Sequence, residues 1–123
     1  MRCASIDFHT SPLIPEIGTR FDKQKFAKTY QEAHIEQVLV FAKCHHGYTY
    51  YPTKIGTMHP NLNFDLLGAE LDALRSVGIK APIYITAGWS KLDVPIISRE
   101  METLCDFCFQ TPDALYDFLF NQT

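Results

Sequence analysis

The apolar residues of this chain recur at two spacings, and the switches between them mark its elements. Residues 3–9, CASIDFH, form a short strand-like run, and TSPLIPEIG after it, with two prolines and a glycine, reads as a loop. The spacing then lengthens: Phe26, Tyr30 and Ala33 recur at helical intervals behind Asp22, a good N-cap residue. Phe21 and Phe26 stand where a hydrophobic staple would place them, so a helix is expected to run to about His34. QVLVFAK, residues 37–43, is a compact β-branched and aromatic run of the kind found in strands buried on both faces. A long loop covers residues 44–63. Asp65 is placed as a second N-cap, Leu67, Leu71 and Leu74 form an apolar stripe, and Gly78 is placed to end that helix. KAPIYITAG is a third strand, and Thr111 and Pro112 open a last short helix, DALYDFLFNQ.

Strand, helix, strand, repeated, implies an α/β fold with parallel strands joined by right-handed crossovers. Residues 1–123 are expected to form one domain, with no internal repeat or linker. Three parallel strands leave an open sheet edge, through which the chain could form a homo-oligomer.

Chemistry-bearing residues collect at one end of these strands: His9 after the first, Lys43, His45 and His46 after the second, Trp89 after the third. Parallel α/β architectures bind ligands at the carboxyl ends of their strands, so convergence there is what a site requires. The loop GYTYYPTKIGTMHPN is longer than usual and rich in aromatics, which suits a sugar or another flat ligand. Each residue also has a plainer reading. One histidine of the pair can cap the strand while the other is solvated, and Lys43 can face an anionic ligand or carry its ammonium out to water. Tyr48, Tyr50 and Tyr51 read as loop packing rather than as separate sugar contacts. Trp89 can line a sugar site or cover a core. Met58 and His59 are too generic to assign.

Composition narrows the classes. With 46% hydrophobic and 20% charged residues the chain is long and apolar enough for its own core. Its net charge of -3, without a Lys/Arg-rich run, gives no footprint for nucleic acid or an anionic membrane. No stretch has the order of a signal peptide or the length of a membrane span, so a cytoplasmic location is expected. Four cysteines among ample apolar residues do not read as a disulfide framework, and reduced thiols are expected. Cys105 and Cys108 have C-x-x-C spacing, but a single such pair is a weak zinc signal and stands too far ahead of the Thr111–Pro112 helix start for a redox motif. Buried thiols acting as small apolar groups are the simpler reading, and neither metal nor other cofactor is expected.

VLVFAKCHHGYTYYPTK, followed by FDLLGAELDALRSVGIKAPIYITAGW, resembles the second strand, second helix and third strand of α-L-fucosidase-type glycoside hydrolase barrels. It is more similar still to the related hypothetical glycosyl hydrolase 6 family. IDFHTSP resembles the first strand, and LCDFCFQTPDALYDFL the lead-in to the third helix, although residues 89–101 are shorter than the family's loop. The resemblance implies the N-terminal portion of a TIM-like (β/α)8 barrel, incomplete in this chain. It also implies that His45 and His46 contact sugar hydroxyls, that His9 does the same from the first strand, and that Trp89 matches an aromatic after the third. A carbohydrate substrate follows.

The resemblance also shows what is missing. Glycoside hydrolysis needs two carboxyl groups flanking the scissile bond. In fucosidase-type families the nucleophilic aspartate ends a fourth strand, which this chain does not reach. Asp7 and Asp93 do not make a convincing pair. No catalytic residue is therefore assigned, and the chain is expected to be a partial product, inactive alone. Two other classes remain open: a metal-dependent hydrolase on the same architecture, and a non-catalytic carbohydrate-binding remnant.

Overall fold

A computed structural model describes residues 1–54 and 56–86. They form β1 (Cys3–Ser5), α1 (Lys23–Glu32), β2 (Gln37–Lys43), β3 (Tyr48–Thr49), β4 (Thr57–Met58), α2 (Leu66–Ser76) and β5 (Ile83–Ile85). Trp89, Asp93, the Cys105/Cys108 pair and the helix expected after Thr111 lie outside the described residues.

The sheet is organised on β2, which spans the QVLVFAK run expected to be a buried strand. β1 pairs with it in parallel from Cys3↔Gln37 to Ser5↔Leu39. β5 pairs with it in parallel on the other edge, where the Val38 and Val40 N–H groups donate to the Lys80 and Pro82 carbonyls at 2.9 and 3.0 Å. The expected α/β arrangement is thus present as a parallel-rich sheet with two helices. It departs from expectation along β1, β5 and the loop after β2: of the described part of the KAPIYITAG run, β5 takes only Ile83–Ile85, with a lone bridge from Lys80 to Gln37. β1 ends at Ser5 rather than at His9, because β3 occupies the same edge of β2 further along, pairing antiparallel at Lys43↔Thr49. β4 adds to β3 in parallel, so the expected plain loop contains two strands of two residues each, too short to display an alternating pattern.

Both helices begin and end as their sequences dictate. The Asp22 carboxylate accepts from the Lys25 N–H and the Asp65 carboxylate from the Gly68 N–H, each at 2.8 Å. The Phe21 and Phe26 rings meet at 5.2 Å, which completes the staple. At the far end of α2, Gly78 N–H donates to Arg75 O and Ile79 N–H to Leu74 O, the paired bonds of a Schellman motif. α1 ends in the same way, with His34 N–H on Gln31 O and Ile35 N–H on Tyr30 O. The left-handed residue is Gly78 in one case (φ 73°) and His34 in the other (φ 54°). Helix α1 therefore stops at Glu32, and His34 forms its exit turn.

Alternation along β2 sends its buried side chains to two faces. Val38, Val40 and Ala42 pack with Leu67, Leu71, Leu74 and Ile79, flanked by Phe26 and Tyr30 of α1. Phe41 packs with Cys44, Tyr50, Ile17, Leu62 and Leu66. The expected Leu67, Leu71, Leu74 stripe is buried in full. Of the thiols, Cys44 is buried as expected, whereas Cys3 is exposed on the short β1; both are free. Among the described residues no helix is long and apolar enough to cross a membrane.

Candidate functional site

β2 runs out at Lys43, and the chain turns back through residues 44–47. The Gly47 N–H donates to the Cys44 carbonyl at 2.9 Å, and Gly47 takes φ 92°, a conformation open to glycine at little cost. This turn sets His45 and His46 side by side, half-buried, with ring centroids 4.3 Å apart. From β1 the chain runs on without strand pairing to bring His9 to the same place. His9 Nδ1 lies 3.1 Å from His45 Nδ1, and its ring sits edge-on to Phe41 at 5.3 Å. On its outer side His9 Nε2 lies 2.6 Å from Asp7 Oδ1. The three histidines singled out by sequence are therefore one cluster, fed by two neighbouring parallel strands.

Buried polar groups beneath the cluster hold it in place. Tyr50, wholly buried, receives a T-shaped contact from Phe8 at 4.8 Å. Its hydroxyl lies 2.7 Å from Thr10 Oγ1 and 3.2 Å from both the Phe8 carbonyl and Cys44 Sγ. Burial, and then the hydrogen bond to Cys44, push the phenol well above its ordinary range, so Tyr50 stays protonated. Cys44 Sγ in turn lies 3.4 Å from His46 Nδ1. Tyr50 thus joins the segment that carries His9 to the turn that carries His45 and His46, which is the packing role expected of it.

His59 is the residue that sequence reasoning set aside. Its ring is 1% exposed. Asn61 N–H donates to Nδ1 at 3.1 Å, which leaves the proton on Nε2, and Nε2 donates to the Ser11 carbonyl at 3.0 Å. Asn61 adds two bonds from Nδ2, to the Pro12 and Ile14 carbonyls. Together they pin the proline-rich loop after His9 against the loop after β4. No spacing in the sequence announces this pair, because the bonds join segments almost fifty residues apart.

Lys43 is wholly buried, which corrects the reading of a stem that carries its ammonium out to water. Any charge it offers a ligand acts from within the protein. Among the described residues no group of three or more His, Cys, Asp and Glu side chains is arranged to hold a metal ion. Asp7, His9 and His45 stand instead in a hydrogen-bonded row. Imidazole nitrogens beside apolar ring faces are suited to hydroxyl groups on a flat, partly apolar ligand.

Over residues 22–113 the chain matches the model of the hypothetical glycosyl hydrolase 6 family. It belongs to that family. Among solved structures, this family member is similar to α-L-fucosidase isoenzyme 2 from Paenibacillus thiaminolyticus, with 46% identity and a TM-score of 0.71, over 73% of this chain and 14% of that one. It is also similar to a GH29 α-L-fucosidase from Bacteroides thetaiotaomicron, with 26% identity and a TM-score of 0.53, over 76% of this chain and 25% of that one. An α-fucosidase of Thermotoga maritima in complex with fucose shares the fold at 20% identity and a TM-score of 0.57, over 71% of this chain and 26% of that one. The chain therefore spans a quarter or less of the first two structures and 26% of the third. No match was found among curated proteins.

Proposed function

We propose that these residues are the N-terminal part of an α-L-fucosidase-like glycoside hydrolase. In this reading β1, β2 and β5 are the first three strands of a TIM-like (β/α)8 barrel, and the histidine cluster is one wall of its sugar site. The observation that carries the reading is the meeting of His9 and His45, brought from two neighbouring parallel strands to 3.1 Å. Sites on such barrels are assembled from the ends of successive strands. His9, His45 and His46 bind sugar hydroxyls, Trp89 supplies an apolar ring face, and Lys43 contributes its charge from beneath. Fucose is the sugar to test, since the Thermotoga maritima structure holds it and the Paenibacillus thiaminolyticus relative is an α-L-fucosidase. The pair of carboxyl groups that hydrolysis requires comes from outside these residues.

Titration calorimetry of the full chain with L-fucose tests the site. Wild type is expected to bind, and the double change His45→Ala, His46→Ala to weaken binding at least about tenfold, a loss of about 1.4 kcal/mol. Unchanged affinity in the double variant would remove the histidines from the site. Release of aryl alcohol from an aryl fucoside by the chain alone would overturn the assignment of the carboxyl groups.

A further inference from the structure

Asp7 is given no work in that reading, yet its carboxylate Oδ1 lies 2.6 Å from His9 Nε2. An ionised carboxylate only accepts hydrogen bonds, so His9 Nε2 carries a proton. In the neutral ring His9 Nδ1 then bears the lone pair. The group facing it at 3.1 Å is His45 Nδ1, and two such nitrogens make a hydrogen bond only when one carries a proton and the other does not. His45 is thereby left to donate from Nδ1, and its Nε2 holds a lone pair.

The geometry points to Asp7 as a positioning residue that sets the tautomer of His45 through His9, and so decides whether His45 Nε2 accepts or donates a hydrogen bond. Only the last step, toward a sugar hydroxyl, rests on the proposed sugar site. The order of protons along Asp7, His9 and His45 belongs to the chain itself. A tenfold bias between tautomers takes about 1.4 kcal/mol, and charge-assisted hydrogen bonds are the strong members of their class. The Asp7 side chain is 78% exposed, so the same bond adds little to folding, and orientation can be tested apart from stability. Asparagine can offer Nε2 either its oxygen or its NH2 group, so Asp7→Asn releases the constraint while keeping the shape.

The test is nitrogen-15 NMR of the imidazoles in the full chain, followed through a pH series to the neutral forms, with His45→Ala assigning the resonances. Wild type is expected to show His9 protonated at Nε2 and His45 at Nδ1, each dominant by about tenfold or more. Asp7→Asn should bring His45 to a mixture in which the Nε2–H form gains several-fold, with an unchanged melting curve, and Asp7→Glu should restore the wild-type order. A His45 ring protonated mainly at Nε2 in wild type, or tautomers unmoved by Asp7→Asn, would overturn the role of Asp7. Calorimetry with L-fucose separates the two readings. Tautomers that follow Asp7 without fucose binding leave the positioning role standing and remove the sugar site; fucose binding with unmoved tautomers does the reverse.

Discussion

The two buried faces of β2 are built from different materials. On the helix face, Val38, Val40 and Ala42 meet Leu67, Leu71, Leu74 and Ile79, an aliphatic layer flanked by Phe26 and Tyr30. On the other face the apolar side chains of Phe41, Cys44, Tyr50 and Leu62 are interleaved with buried Thr10, Thr49 and His59, each hydrogen-bonded to a loop. The first face holds by area, at about 1.5–3 kcal/mol for each aliphatic side chain buried. The second holds by direction: its bonds fix where the segments after β1 and β2 lie, and hence where His9, His45 and His46 meet. A protein that needs both a stable sheet and a defined cluster of imidazoles separates the two tasks by face.

The largest expected effect falls on the helix face. Leu74 is wholly buried on α2, and Leu74→Ala removes its packing and leaves a cavity. A loss of about 3–4 kcal/mol in urea unfolding is expected, with the spectral signature of the His9–His45 contact retained in the molecules that remain folded. Loss of that signature before unfolding would mean the two faces do not act separately.

One polar group on the helix side makes that side pH-dependent. Burial pushes the Glu70 carboxyl on α2 from its ordinary 4.5 up to about 7, and burial, then the charge of Glu70, raises the Tyr30 phenol on α1. Between these two values the folded protein keeps a proton that the unfolded chain has released. The contribution of Glu70 is therefore fully present below about pH 4.5, falls as pH rises, and is lost above about pH 7, a change on the order of 3 kcal/mol. Glu70→Gln should remove this dependence, leaving the variant more stable than wild type at pH 8 and similar to it at pH 4.5. The difference between their urea midpoints across that range is the measurement, and a flat difference would sink the account.

The same contrast explains what could be read from the sequence. The helix face is written in repeats: Leu67, Leu71 and Leu74 on α2, the caps Asp22 and Asp65, the Phe21–Phe26 staple, and the QVLVFAK run were each readable from spacing and fell where expected. The histidine face was readable only at its ends. Strand-end position, reinforced by family resemblance, picked out His9, His45 and His46, but the support beneath them was hidden. Thr10 reaches Tyr50 across 40 residues, and His59 reaches Ser11 across 48. No period links such pairs. The early end of β1 was hidden for a related reason, since it depends on β3 taking the edge of β2, a contest between segments rather than a property of either.

Direction should prove cheaper to lose than area. Tyr50→Phe keeps the ring against Phe8 and deletes the hydroxyl shared with Thr10, Phe8 and Cys44. A cost of about 1–2 kcal/mol is expected, chiefly from the buried Thr10 hydroxyl left without that partner. Hydrogen exchange should quicken around residues 8–12 and 44–47 while α2 stays protected. Uniform quickening would place Tyr50 with the global core instead. On the helix side, His34 holds a left-handed turn that Gly78 holds in α2 without a Cβ. His34→Gly should therefore raise stability by about 0.5–1 kcal/mol, the strain relieved outweighing the entropy added to the unfolded chain. A lower melting temperature would show that the His34 side chain contributes more than its backbone costs.

The smallest effect is expected where the interest is greatest. His45 and His46 are half-buried at the rim of the histidine face, and their turn is closed by backbone, through Gly47 N–H on the Cys44 carbonyl. Both rings keep part of their surface in solvent, and His46 Nδ1 touches the buried cluster at Cys44 Sγ, 3.4 Å away. Replacing both by alanine should change the unfolding free energy by about 0.5 kcal/mol, the small end of single-site effects, because half-buried rings at the rim lose little packing, while Tyr50→Phe beneath them costs more. If the double variant unfolded as readily as Leu74→Ala, the histidines would be part of the core and their convergence would need no ligand. If stability held, two imidazoles held in place at little benefit to folding would be left for binding.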